Sequence, residues 1–254
     1  MPEGSRLVAT NGARIHPREL TERLAAWQAQ PERMQPLSQR WRHDVHRLQD
    51  EAVGDVVVKS TNPRKARRRS AVLAFLNGWW LHRALPGAVP EPIGAIDHYD
   101  GRTITASFLV ARYVPGRPVA ELLKAGNLDS DTQEAIGRLL MRVHASGVFL
   151  QDNRPDNFLL TGEPHPDTPP EQYLTLPDLE ALLPGRPGRF RAARLLLKLR
   201  GRGVGFDTIW AAYWRERGDT LNPLQRAILW GIYTPARRGR RLVLGAFAHR
   251  RRSG

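Results

Sequence analysis

The sequence predicts an α+β fold in two lobes, a small strand-rich one followed by a larger helical one. Short β-branched or alternating apolar runs crowd the stretch before residue 113, and helix-period patterns dominate after it. Between a helix and a strand of the second part lies a compact polar loop carrying Asp152 and Asn157. The boundaries that follow are an N-terminal helical extension over 1–40, a strand-rich lobe over 41–112, and a helical lobe with basic C-terminal helices over 113–254. With 254 residues, 41% of them hydrophobic, the chain can bury a sizeable core as one domain.

Pro17 to Gln30 has Leu20, Leu24 and Trp27 on one helical face, and Pro31 ends it. Strands are expected near 33–48 and 55–59, then a helix from about Arg67 to Leu85, then strands near 92–98 and 103–113. Tyr99-Asp-Gly-Arg102 is a hairpin signal, because Asp-Gly accepts the positive φ of a tight turn. From Asp131 to Ala145 a helix is expected, with Asp131 and Glu134 at capping-box spacing and Ile136, Leu139, Leu140 and Val143 as its buried stripe; Gly147 stops it. Thr161 to Gln172, rich in Pro and Asp, reads as a loop. Trp210, Trp214, Leu221, Leu224, Ile228, Leu229 and Trp230 are assigned to the helical core.

A net charge of +14 and a pI near 11.2 call for an acidic partner or surface. There is no cysteine, which excludes disulfides and thiolate zinc sites. No apolar run approaches the roughly 18 residues that span a bilayer, and no leader of the basic, apolar, small-residue type is seen. A cytoplasmic protein, peripheral on an anionic membrane face, is the expectation. Between Arg186 and Arg202, seven basic residues surround Leu195, Leu196, Leu197 and Leu199, and the chain ends with further arginines at 237, 238, 240, 241, 250, 251 and 252. The leucines are expected to pack mostly inward while the arginines give a cationic surface for lipid or phosphorylated glycolipid. The run Arg64 to Arg69 opens the helix after Lys59 and is read as a solvated or phosphate-facing surface. A nucleic-acid partner is set aside, since no matching motif is present. His43 and His46 would point to opposite faces of a strand, which argues against a metal pair, and His144 is given a hydrogen-bonded structural role.

The chemistry concentrates in VHASGVFLQDNRPDNFLL, residues 143–160. Phosphoryl transfer needs a carboxylate that orients the attacking hydroxyl and accepts its proton. A few residues later it needs an amide oxygen that helps hold magnesium on the nucleotide phosphates. Asp152 and Asn157 have that order, although an ordinary polar turn has it too. Asp55-Val-Val-Val-Lys59 is a β-branched strand ending in a lysine suited to grip the α- and β-phosphates. Of 39 basic residues only positions 59, 65, 124 and 198 are Lys, leaving 39 − 4 = 35 Arg, so this lysine is unlike a routine solubilising charge. The alternative is a strand-edge gatekeeper. Tyr173 to Leu179 delivers Asp178 as a second magnesium-binding carboxylate, or as a turn residue. Phe108 to Gly116 is a strand running into a Pro-Gly break, suited to join the lobes and offer backbone to an adenine.

Taken together, VVVK, VPEPIGAI, FLVARYVPG, the 143–160 block and YLTLPDLEAL resemble the lipopolysaccharide kinase family over about Trp41 to Arg186. Those enzymes phosphorylate Kdo or heptose of the inner core and share the protein-kinase-like fold. The resemblance implies Lys59 as the phosphate-binding lysine, Asp152 as catalytic base, and Asn157 and Asp178 as Mg2+ ligands, with ATP as donor and an anionic glycolipid as acceptor. Three departures stand out. Leu150-Gln151 replaces the His and basic or small residue usual before the Asp. The helix after Lys59 carries no glutamate to pair with it, and the expected slot falls near Asn77, which is therefore placed among the cofactor-binding candidates. No glycine-rich loop precedes VVVK, so cover over the phosphates would fall to backbone N–H groups and Arg40 or Arg42. The reading from a different class is a pseudokinase, or basic lipid- or protein-binding scaffold, on the same fold.

Overall fold

The structure is a computed structural model and describes residues 6–12, 14–40, 43–61, 70–199 and 205–219. Its first half is an antiparallel sheet of six strands: β1 (Arg6–Thr10), β2 (Gln35–Arg40), β3 (His43–Asp50), β4 (Gly54–Thr61), β5 (Pro92–Asp100) and β6 (Thr103–Arg112). Their order across the sheet is β1-β5-β6-β4-β3-β2. Helix α1 (Pro17–Ala29) buries Leu20, Leu24 and Trp27 against Leu48, Val56, Val58 and Val110. Helix α2 (Ala71–Ala84) packs on the opposite face, against Ala95, Leu109 and Ala111. The two-residue period of β4 sends Val56 and Val58 toward α1 and leaves Val57 and Lys59 on the other side. The N-terminus of α2 is pinned by Asp97, which is fully buried and accepts from the Ala71 backbone N–H at 2.9 Å and from the hydroxyls of Ser70 and Ser107. An anion there faces the positive end of the helix.

Residues 1–40 are not the helical extension the sequence suggests. β1 pairs with β5 from Arg6↔His98 to Thr10↔Gly94, and β2 pairs with β3, so this segment supplies two of the six strands. β1 is half-exposed at a sheet edge and lacks the apolar alternation that would mark it. The strand expected near 33–48 is a hairpin, whose ends Arg40 and His43 are paired across positions 41–42 without a Gly or Asn turn signature. The Asp-Gly signal does mark a turn: Asp100 pairs with Thr103, and Gly101 takes φ +57°.

The second half comprises β7 (Arg117–Pro118), α3 (Val119–Lys124), α4 (Ser130–Ala145), β8 (Val148–Leu150), β9 (Leu159–Leu160), β10 (Leu174–Thr175), β11 (Leu182–Pro184), α5 (Arg189–Leu196) and α6 (Phe206–Arg217). The short strands form two small sheets, β10-β9-β7 and β11-β8. Helix α4 buries Ile136, Leu139, Leu140 and Val143 as its period demands. Its cap, however, is Asp129, which accepts from the Thr132 N–H at 2.6 Å, and Asp131 falls inside the first turn. Gly137 lets α6 come close, since a Cβ there would lie 2.4 Å from the Ile209 carbonyl oxygen. Leu195, Leu196, Leu197 and Leu199 are buried while Arg189, Arg191 and Arg194 are exposed, so the leucine seam faces the core. Trp214 is buried and Trp210 partly so. The remaining core candidates Leu221, Leu224, Ile228, Leu229 and Trp230, the runs at 64–69 and 237–252, Arg42, Arg200 and Arg202 lie outside the described residues. No helix among the described residues is long and apolar enough to cross a membrane.

His144 and Tyr213 join α4 to α6, with Nδ1 and the phenol oxygen 2.7 Å apart. Arg217 donates to the same phenol oxygen at 3.1 Å. Burial, with Arg217 nearby, pushes the His144 pKa down to about 3. The folded protein therefore keeps a neutral imidazole, while the unfolded chain takes up a proton near pH 6.5. This contribution to stability is full above that pH and is lost as pH falls toward about 3. His144→Gln should accordingly show a shallower fall of Tm between pH 6.5 and 4 than the parent, measured by circular dichroism melts; equal slopes would count against it.

Candidate active site

Lys59 stands near the end of β4, its side chain 11% exposed, on the side opposite α1. Its ammonium donates to Asp178 at 2.8 Å and lies 2.9 Å from Glu180, whose side chain is 3% exposed. Burial works against the charge, but the two carboxylates outweigh it and raise the Lys59 pKa above the ordinary lysine value. The lysine thus stays charged. Asp178 and Glu180 come from the turn Leu179–Ala181 and its cap, and the buried Leu179 between them seats on α2, where a Cβ on Gly78 would lie 2.9 Å from its Cδ1.

The position expected to face Lys59 from α2 does not do so. Asn77 donates its amide to the Leu182 carbonyl at 3.1 Å and thereby ties α2 to β11. The missing glutamate of the helix is replaced by Glu180, delivered from the other lobe two residues after Asp178. Sequence reasoning missed it because it looked for the counter-ion on a helix; the signal was a second carboxylate beside Asp178 in YLTLPDLEAL.

Lys59, Asn157 and Asp178 line one cleft of about 400 Å³ between the sheet and the helical lobe. Its back wall is the segment where β6 leaves the sheet, Ala111 to Val114, with Gly116 beyond. There the Tyr113 N–H is held by the Asp55 carbonyl at 2.9 Å, and the Arg47 guanidinium stacks 4.0 Å above the Tyr113 ring. Asp152 stands beside the cleft rather than in its wall. The Asn157 amide N–H donates to the Asp152 backbone carbonyl at 2.7 Å, which leaves the Asn157 carbonyl oxygen as its remaining polar atom. Asp178 adds carboxylate oxygens, so the two residues offer the hard oxygen donors a small divalent cation takes. Among the described residues no group of three His, Cys, Asp or Glu side chains is placed to hold a metal ion. A two-donor site suits a cation that completes its shell with phosphate oxygens and water.

The loop around Asp152 is braced in a way the sequence does not advertise. Leu150 pairs with Leu182, and the Gln151 N–H donates to the Ala181 carbonyl at 2.7 Å, so β8 is tied to the Asp178–Glu180 turn. Asn153, fully buried, donates to the Leu195 carbonyl at 3.1 Å. Lys198 donates to the Gln151 carbonyl. Burial lowers the Lys198 pKa and the Asp152 charge opposes that fall. Arg154, whose Nε is 2.7 Å from an Asp152 carboxylate oxygen, also lines the cleft. Asp152 thus has two cations beside it, Arg154 and Lys198. Glu180→Gln, which keeps the shape but removes the charge, should lower kcat/KM for nucleotide by about tenfold or more in steady-state assays, because it leaves a buried lysine short of a counter-ion. Asn77→Ala should change it by no more than about threefold.

Against known proteins, residues 33–231 match the model of the phosphotransferase enzyme family. No curated protein matches the chain in sequence. Among solved structures, one of WaaP in complex with acyl carrier protein superposes with a TM-score of 0.56 at 17% identity, covering 87% of this chain and 92% of that one. It is one of 1577 matching chains, so this likeness carries the two-lobed kinase-like fold and not a substrate. A family match spanning well over half of the length, on a fold that brings Lys59, Asn157 and Asp178 to one cleft, places this chain in the phosphotransferase enzyme family.

Proposed function

We propose that the protein transfers the γ-phosphate of ATP, with Mg2+, to a sugar hydroxyl of lipopolysaccharide inner core, Kdo or heptose. The observation that carries this reading is the convergence of Lys59, paired with Asp178 and Glu180, and Asn157 on one cleft with Asp152 at its side. Lys59 holds the α- and β-phosphates while Glu180 fixes its position. The Ala111–Val114 segment receives the adenine. Asn157 and Asp178 would hold a magnesium ion, which would neutralise charge on the phosphates. Asp152 accepts the acceptor hydroxyl's proton as that oxygen bonds to the γ-phosphorus, and ADP leaves. Arg154 and Lys198 steady the anionic charge on that side.

The acceptor class rests on the resemblance in the 143–160 block and on the family match, with the WaaP structure as a fold relative. Exposed arginines on α5 suit a phosphorylated glycolipid, since guanidinium groups bind phosphate oxygens in pairs. A catalytically silent scaffold drew its support from a helix without a glutamate for Lys59 and from the want of a glycine-rich loop, and Glu180 answers the first of these.

The test is a phosphate-transfer assay with Mg-ATP and deacylated core oligosaccharide. The parent protein should transfer phosphate, and Asp152→Asn should lower kcat by about 10²-fold or more while leaving nucleotide affinity within a few-fold. Transfer that survives Asp152→Asn, or no transfer from a protein that binds Mg-ATP, would overturn the proposal.

A further inference from the structure

Six large apolar side chains are exposed among the described residues, and three of them, Leu73, Leu76 and Trp80, lie on α2. Their spacing sets them on one stripe, turned away from Val72, Phe75, Gly78 and Leu81, which are buried. They are 60, 49 and 62% exposed. A helix apolar on both sides calls for cover on both. The sheet and the Leu179–Ala181 turn cover the inner side of α2. Trp80 is held in place, its indole N–H donating to the Ser146 carbonyl at 3.0 Å.

Charge decides what covers the outer side. From Thr61 to Ala84 the sequence has no Asp or Glu, whereas Arg64, Lys65, Arg67, Arg68 and Arg69 precede the helix cap Ser70, and the exposed Arg83 adjoins the stripe. We propose that this face of α2 docks on an anionic phospholipid bilayer. Leu73, Leu76 and Trp80 enter the boundary between headgroups and acyl chains, while the exposed Arg83 meets lipid phosphates and the basic run that precedes Ser70 in the sequence adds to the positive charge. Leucines beside a tryptophan, with cations and no acid, have the make-up of an interfacial helix, and an indole suits the boundary through its apolar ring and polar N–H. Docking rests on the proposed activity only for its purpose, which is to hold the cleft beside a lipid-borne acceptor.

The experiment is flotation of the purified full chain with phosphatidylcholine vesicles, with and without phosphatidylglycerol. The parent should bind only the anionic vesicles, and less as salt rises. The triple variant Leu73→Ser, Leu76→Ser, Trp80→Ser should bind about tenfold more weakly or worse, as should a variant with Arg67, Arg68 and Arg69 changed to Gln. Circular dichroism melts matching the parent establish that each variant is folded, and the single Leu76→Ser serves if the triple is not. Undiminished vesicle binding by a folded triple variant overturns the proposal. So does a parent that ignores anionic vesicles, or one whose stripe is covered by an acidic protein instead. Transfer to deacylated oligosaccharide reports on the activity separately: vesicle binding without any transfer sinks the kinase reading alone, and transfer without vesicle binding sinks docking alone.

Discussion

One ammonium group, that of Lys59, sets the relation between sheet and helical lobe. A charge taken out of water is tolerated only with close counter-charges, and losing one partner leaves it exposed to the full desolvation cost. Both partners come from a single turn, Asp178 and Glu180 on either side of Leu179, and that turn rests on α2. The strand that carries the lysine, the turn that carries the acids and the helix beneath them are therefore joined by two ion pairs and an apolar contact.

The same economy appears around Asp152. In place of a histidine before the aspartate, this chain fastens the loop from behind. Asn153 holds the end of α5 through Leu195, and Lys198 holds the Gln151 carbonyl. The leucines of α5 and the turn after it are buried, so the braces are anchored in the core and not in a mobile surface helix. The leucine and arginine tract, whose leucines were expected to pack mostly inward, is on that inner side the support of the loop around Asp152.

Much of this was legible. Motif spacing, the scarcity of lysine and a family resemblance together offered Lys59, Asp152, Asn157 and Asp178 as candidates, period and burial agree for α1 and α4, and the Asp-Gly turn falls at Gly101. The failures share a cause: local pattern cannot report a partner that arrives from far along the chain. Asn77 was assigned to Lys59 by its place on a helix, yet the charge came from position 180. The scarcity of lysine singled out Lys59, and the same argument applied to Lys198, but its context of leucines and arginines disguised it as surface. The extension over 1–40 misled for a similar reason, since an edge strand without alternation becomes a strand only when another edge is there to pair with it.

That last pairing bears on where the folding unit begins. The family match starts at residue 33, after β1 and α1. Strand β5, which β1 covers, is buried from Pro92 through Asp97 and would otherwise present a row of unpaired backbone groups beside apolar side chains. Such an edge recruits strands from neighbouring molecules. Strand β1 thus serves as the selvedge of the sheet, and a version of the protein cut to the family boundary would be ragged along that side and prone to self-association.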